Sequence, residues 1–184
     1  SITGDEISCD AKYATIIAVG VTINCDKLSL DSELSDGILS TGDVSITGDE
    51  NSEITINAEY EGIDARGDGD VTIKCGKLDI IAAESCGISS AKETVSIDAD
   101  TITISSGTTA VYGGKDITIG CETLEITAED NAVYSENGSV SITGDEISCD
   151  TKYASIVAVG VTINCDKLSV SSEESDGILS TGDV

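Results

Sequence analysis

The feature that most constrains this chain is that it repeats itself on two scales. Residues 1–44 and 141–184 are the same sequence except at six positions, where Ala11, Thr15, Ile17, Leu30, Asp31 and Leu34 become Thr151, Ser155, Val157, Val170, Ser171 and Glu174. The long period is therefore 140 residues. Inside it, a Val or Ile followed by Ser/Thr and then Ile recurs at Val21, Val44, Val71, Val95, Ile117, Val140 and Val161. Val184 stands ready to open another unit, and Ser1-Ile2 begins one that lacks its first Val. The intervals are 23, 27, 24, 22, 23, 21 and 23, so the 184 residues hold eight units of about 23. A fixed short period means supersecondary units that bury their apolar faces only by stacking.

Each unit reads alike. In residues 21–43, Val21 and Ile23 alternate with Thr22 and Asn24, Cys25-Asp26-Lys27 turns, and Leu28 and Leu30 alternate with Ser29 and Asp31. A polar loop leads to Gly37-Ile38-Leu39-Ser40, and Thr41-Gly42-Asp43 turns again. Three period-2 runs separated by polar corners predict three short strands per unit. The expected fold is one all-β domain over residues 1–184, a parallel β-helix of eight coils, right-handed by default. Coils begin near residues 1, 21, 44, 71, 95, 117, 140 and 161. At about 4.8 Å per coil the rod is about 38 Å long. A leucine-rich repeat has a similar period but needs an L-x-x-L-x-L strand and an Asn ladder, which this chain lacks. A sandwich would not keep near-identical register every 23 residues.

Composition then decides what such a rod can do. Nine Lys+Arg face 35 Asp+Glu, a net charge of −26, and the chain has no Pro, His, Met, Trp or Phe and only five Tyr. Without His there is no Ser-His-Asp triad, Cys-His pair or imidazole metal site, and no enzyme activity is expected. Charge of this sign repels phosphate backbones and anionic lipid, so neither nucleic acid nor a membrane is an expected partner. No run of 18 apolar residues is present, and no basic stretch with an apolar core opens the sequence. The lack of Pro suits ladders that need a backbone N–H at nearly every position.

Stacking turns positions into columns. The Ile and Leu columns of the first and second strands face inward. The first corner carries Gly4, Cys25, Gly48, Cys75, Ala99, Cys121, Gly144 and Cys165, small residues with Cys in every second coil. Like positions two coils apart are about 9.6 Å from each other, beyond disulfide reach. Cys9 and Cys149 take the second-strand inward column, and Thr15 and Ser155 are aligned with the third-strand apolar positions Ile38, Ile63 and Ile88. Cys86, aligned with Asp36, Glu61, Asn131 and Asp176, is expected to face solvent. The redox state of Cys9, Cys86 and Cys149 is left open at this point.

The column after the corner is acidic in seven of eight coils: Asp5, Asp26, Asp49, Asp100, Glu122, Asp145 and Asp166, with Gly76 the exception. Carboxylates every ~4.8 Å repel or share a cation, and Ca2+, a hard ion that takes oxygen ligands, is the candidate counterion. The alternative is a solvated acidic edge. The next column, Glu6, Lys27, Glu50, Lys77, Thr101, Thr123, Glu146 and Lys167, offers coil-to-coil ion pairs. An outward column of Ser or Thr runs through all eight coils, from Ser1 and Thr22 to Ser141 and Thr162, which raises ice binding as a minor alternative. After the third-strand apolar residue come Ile16, Leu39, Asp64, Ser89, Tyr112, Tyr134, Ile156 and Leu179. Tyr112, Tyr134, Ile156 and Leu179 would make an apolar stripe for lateral or glycan contact, or would fold over the third corner. Arg66-Gly67-Asp68 spells an integrin-type tripeptide and Asn137-Gly138-Ser139 a glycosylation sequon. Chance and an ordinary turn account for them.

The units Val71-Thr72-Ile73, Lys77-Leu78-Asp79-Ile80 and Gly87-Ile88, with Asp36-Gly37-Ile38, resemble those of secreted bacterial right-handed β-helix proteins of the carbohydrate-binding and adhesin-shaft type. The resemblance spans all eight coils. It implies an extracellular, calcium-associated, polysaccharide-binding fold without catalysis. Neither end reads as a cap, since Val184 is the residue that precedes Ser1 in the repeat (compare Val44-Ser45). A segment of a longer array, or copies stacking head to tail into a filament, is therefore expected. The leading expectation is a structural segment of an extracellular or cell-surface fibre, stalk or adhesin shaft whose partners are copies of itself. The alternative is a carbohydrate-binding module, calcium-dependent or not.

Overall fold

The structure, a computed structural model, describes residues 1–184. It is all-β with no helix: parallel strands stack as a β-solenoid of about eight turns some 23 residues apart. The alternation of apolar and polar residues dictates this locally. Val21–Asn24 buries Val21 and Ile23 and exposes Thr22 and Asn24. Lys27–Ser32 buries Leu28, Leu30 and Ser32. Ile38–Ser40 buries its two ends and half-buries Leu39. No single coil closes a core, but each inner coil is paired in parallel with the coil before and the coil after. Val71, for example, pairs with Val44 on one side and with Val95 on the other.

The ladders form two sheets. One carries the first and second runs of every coil, and the other carries the third. In coils 4, 5, 7 and 8 the first two runs are one strand, as in Val71–Ala82 and Val95–Ser106. The sequence suggests three short strands throughout, whereas here the first corner is bridged without breaking the ladder. The interior is an unbroken aliphatic cluster of 39 buried residues. Ile23, Ile46, Ile73 and Ile97 are stacked directly in register and each is at most 1% exposed. Such a narrow interior has room for Ile, Leu and Val but no use for large aromatics.

Where the chain turns, small hydroxyls satisfy the carbonyls that the ladders leave free. The Ser40 hydroxyl donates to the Gly42 carbonyl at 2.8 Å, Ser90 to Gly69 at 2.8 Å and Ser135 to Lys115 at 2.7 Å. No buried side-chain nitrogen or oxygen lacks a partner, which is what burial of polar groups requires. Glycine supplies room, not left-handed backbone, since none of the 19 has a positive φ. A Cβ at Gly62 would sit 2.6 Å from the Gly87 carbonyl of the next coil, closer than side chains tolerate.

Two registers differ from the sequence alignment. In the third run, Ile16 pairs with Ile38 and Val133 with Ile156, so Ile16 and Ile156 are inward and Thr15 and Ser155 fall one place earlier, beside Gly37 and Gly177. A slip of one residue exchanges faces. In coil 3 the first corner holds extra residues, and Glu53, not Glu50, pairs with Lys27 and Lys77.

Candidate functional site

Asp5, Asp26, Asp49, Asp100, Glu122, Asp145 and Asp166 are all exposed, as an acidic edge requires. The edge is interrupted, however. The extra residues of coil 3 carry Asp49 off the column into a turn, where its carboxylate accepts the Asn51 N–H at 2.8 Å. Ser52 takes the column position instead, and its hydroxyl oxygen accepts the Gly76 N–H at 3.2 Å. The same turn explains Gly76, because a Cβ there would overlap the Glu50 carbonyl. No three carboxylates of this edge converge closely enough to share one ion.

The small-residue corner is packed. Cys25, Cys75 and Ala99 are buried, and Gly4, Gly48, Cys121, Gly144 and Cys165 are half-buried. All seven cysteines are free thiols. Burial pushes Cys75 and Cys149 up to about 12 and Cys121 up to about 11, so these thiols are poor nucleophiles. Cys86 does not face open solvent. It is half-buried, with its sulfur 3.4 Å from the Thr108 hydroxyl.

The predicted stripe is in part displaced. Ile156 is fully buried and belongs to the core. The outward column in register is Tyr112, Tyr134, Val157 and Leu179. The Tyr112 and Tyr134 rings stack with centroids 5.6 Å apart and planes 5° apart. The Tyr112 hydroxyl donates to Glu136 at 2.9 Å. Burial, then the neighbouring Glu136 carboxylate, pushes Tyr112 up to about 12. The stripe is thus a pair of stacked, half-buried rings with an aliphatic extension ending at Leu179, 47% exposed.

Three carboxylates converge elsewhere, at the column that holds Asp36, Glu61 and Cys86. Asp36 of coil 2 and Glu61 and Asp64 of coil 3 bring carboxylate oxygens within 4.8 Å of one another. Asp36 and Asp64 are buried and Glu61 half-buried. Arg66, the only Arg, donates to Asp36 at 3.2 Å and also to Asp64. The Asp36 carboxylate accepts the Glu61 N–H at 3.3 Å, and the Ser85 hydroxyl donates to Glu61 at 2.9 Å. The Arg66-Gly67-Asp68 tripeptide is accordingly committed to ion pairs within the rod: Arg66 as above, and Asp68 with Lys92 at 3.0 Å. Two signals in the sequence lead here, the lone Arg and the neighbouring acids Asp36 and Glu61 in one column. What hides the cluster is Asp64, which sits at an outward position yet is 4% exposed because Arg66 folds over it.

These features define the chain as a β-solenoid with an acidic surface. No protein-family model, curated protein or solved structure matches it. The resemblance to secreted β-helix proteins is therefore one of sequence pattern.

Proposed function

We propose that the chain is a structural rod, a segment of an extracellular or cell-surface fibre, stalk or adhesin shaft, without catalysis. One observation carries this reading: the junction between coils 6 and 7. Coil 7 is the second copy of coil 1, and it stacks on coil 6 with Ile119 on Ile142 and Leu124 on Ile147, in the register used everywhere else. The end of one 140-residue repeat is thus a seat for the start of the next, and the rod lengthens without a change of cross-section. In this reading a further repeat, in the same chain or in another copy, joins through the same kind of face. Contacts of this heterologous kind do not close and give filaments. Electron microscopy and light scattering of the purified chain across a concentration series test the self-association. Filaments of constant width are expected, and a species that stays monomeric at every concentration contradicts it.

A second reading, polysaccharide binding, is favoured by the stacked, half-buried Tyr112–Tyr134 pair on an outward sheet face. Aromatic side chains on an outward face are the kind a sugar ring packs against. Pull-down with insoluble polysaccharides, with and without chelator, tests it. Binding weakened about tenfold or more by Tyr134→Ala supports it, and no binding to any polysaccharide rejects it. Ice binding has less in its favour. The column flanking the Ser/Thr ladder carries the Lys74–Asp98 ion pair, 3.4 Å long, which interrupts a flat hydroxyl array.

A further inference from the structure

The seam between coils 2 and 3 buries what no other junction buries. Asp36 and Asp64, 2% and 4% exposed, are the only charged side chains in the interior. With Glu61 they surround a single cation, Arg66. Fully ionised, three carboxylates against one guanidinium leave an excess of two negative charges in a half-dry setting. Two carboxylates this close are more stable with one proton between them than with none. The groups facing Asp36 from coil 3 are Glu61, Asp64 and Arg66. On the coil 1 side, the residues in register are Ala14 and Thr15, neither ionisable. In coil 4, Cys86 stands next in the column, beyond Glu61.

We propose that this cluster is a proton-operated latch. A proton held between Asp36 and Glu61 fastens coil 2 to coil 3 in mildly acidic solution, and its loss as pH rises leaves repelling carboxylates that loosen this one junction. Burial first, and then the Glu61 carboxyl, raises Asp36 from the ordinary 3.8 to about 7, with Arg66 opposing. Burial also raises Asp64, again against Arg66. The folded chain then keeps a proton between about pH 4 and 7 that the unfolded chain has already released. Stability accordingly falls with rising pH across that window and levels off above it. Glu125 provides an internal control, because it is exposed on the outward face of its strand, in register between Thr103 and Ser148.

The test is a carbon-13 NMR titration of the side-chain carboxyls of the full chain, with chemical unfolding at several pH values for the wild type, Asp36→Asn and Glu125→Gln. Asp36 is expected to titrate near pH 7. The wild-type unfolding constant should rise relative to that of Asp36→Asn by up to about tenfold per pH unit between about pH 5 and 7. Glu125→Gln should follow the wild type. Titration of Asp36 in the ordinary carboxylate range, or the same pH dependence with and without Asp36, overturns the latch. If Asp36→Asn does not fold, the wild-type titration alone decides.

Discussion

Ile80 lies in register between Ile56 and Ile104, fully buried, with an aliphatic neighbour from the coil below and another from the coil above. Cutting it back opens a cavity that two rigid ladders cannot collapse. Ile80→Ala is expected to cost about 2–5 kcal/mol in urea unfolding. Ile2→Ala, at a position 39% exposed, should cost well under half of that. Arg66 tests a different kind of contact. Arg66→Met removes the only cation from the Asp36–Asp64 cluster, and at pH 8 it should cost about 2–3 kcal/mol, reduced from a fully buried case because solvent reaches the guanidinium. At pH 5 the cost should shrink, since protonation of Asp36 removes part of the charge that Arg66 balances. Legibility in the sequence divides along the same line. Ile54 or Ile80 is readable as core because a period of two leaves it nowhere else to go. Ile156 is not, because Ile156 and Val157 are adjacent β-branched apolar residues, and only the backbone pairing shows which of them faces inward. The burial of Asp64 is harder still to read, since it depends on where one long side chain folds.

Among the elements, the faces are constant and the corners absorb the variation. The second runs pair over six residues in every coil, from Glu6–Ala11 paired with Lys27–Ser32 to Glu146–Thr151 paired with Lys167–Ser172. The third corner, by contrast, runs from one residue, Val159, to five, residues 66–70. Uneven spacing in the sequence is therefore corner length, and the fold stays legible despite it. Where the extra residues fall within a coil is not legible, and this is why Asp49 and Glu50 leave their columns in coil 3. A Gly-Ser insertion after Asp68 should cost less than about 1 kcal/mol, because loop closure depends weakly on length. One residue inserted after Ile73 should abolish cooperative unfolding, because every following side chain in Val71–Ala82 would change face. Thermal unfolding followed by circular dichroism distinguishes the two.

Over the whole molecule, the nine basic residues are placed sparingly and to effect. Seven ion pairs run between coils, including Lys27–Glu6, Lys92–Asp68, Lys115–Glu93 and Lys167–Glu146. Six of these join exposed Lys side chains to carboxylates on the next coil, and each such pair contributes about 0–1 kcal/mol. A net charge of −26 outweighs them. Raising NaCl from about 0.01 to 0.3 M should therefore raise the midpoint of thermal unfolding, since screening relieves more repulsion than it removes attraction. A fall would mean that the ion pairs dominate. In the fibre reading each 140-residue repeat seats the next and extends the rod. Small-angle X-ray scattering from the chain and from a version lengthened by one further 140-residue repeat tests it most directly. Six more coils at about 4.8 Å each predict a rod about 29 Å longer with an unchanged cross-sectional radius. A lengthened chain that scatters as a wider particle, or as two rods joined by a flexible link, would contradict it.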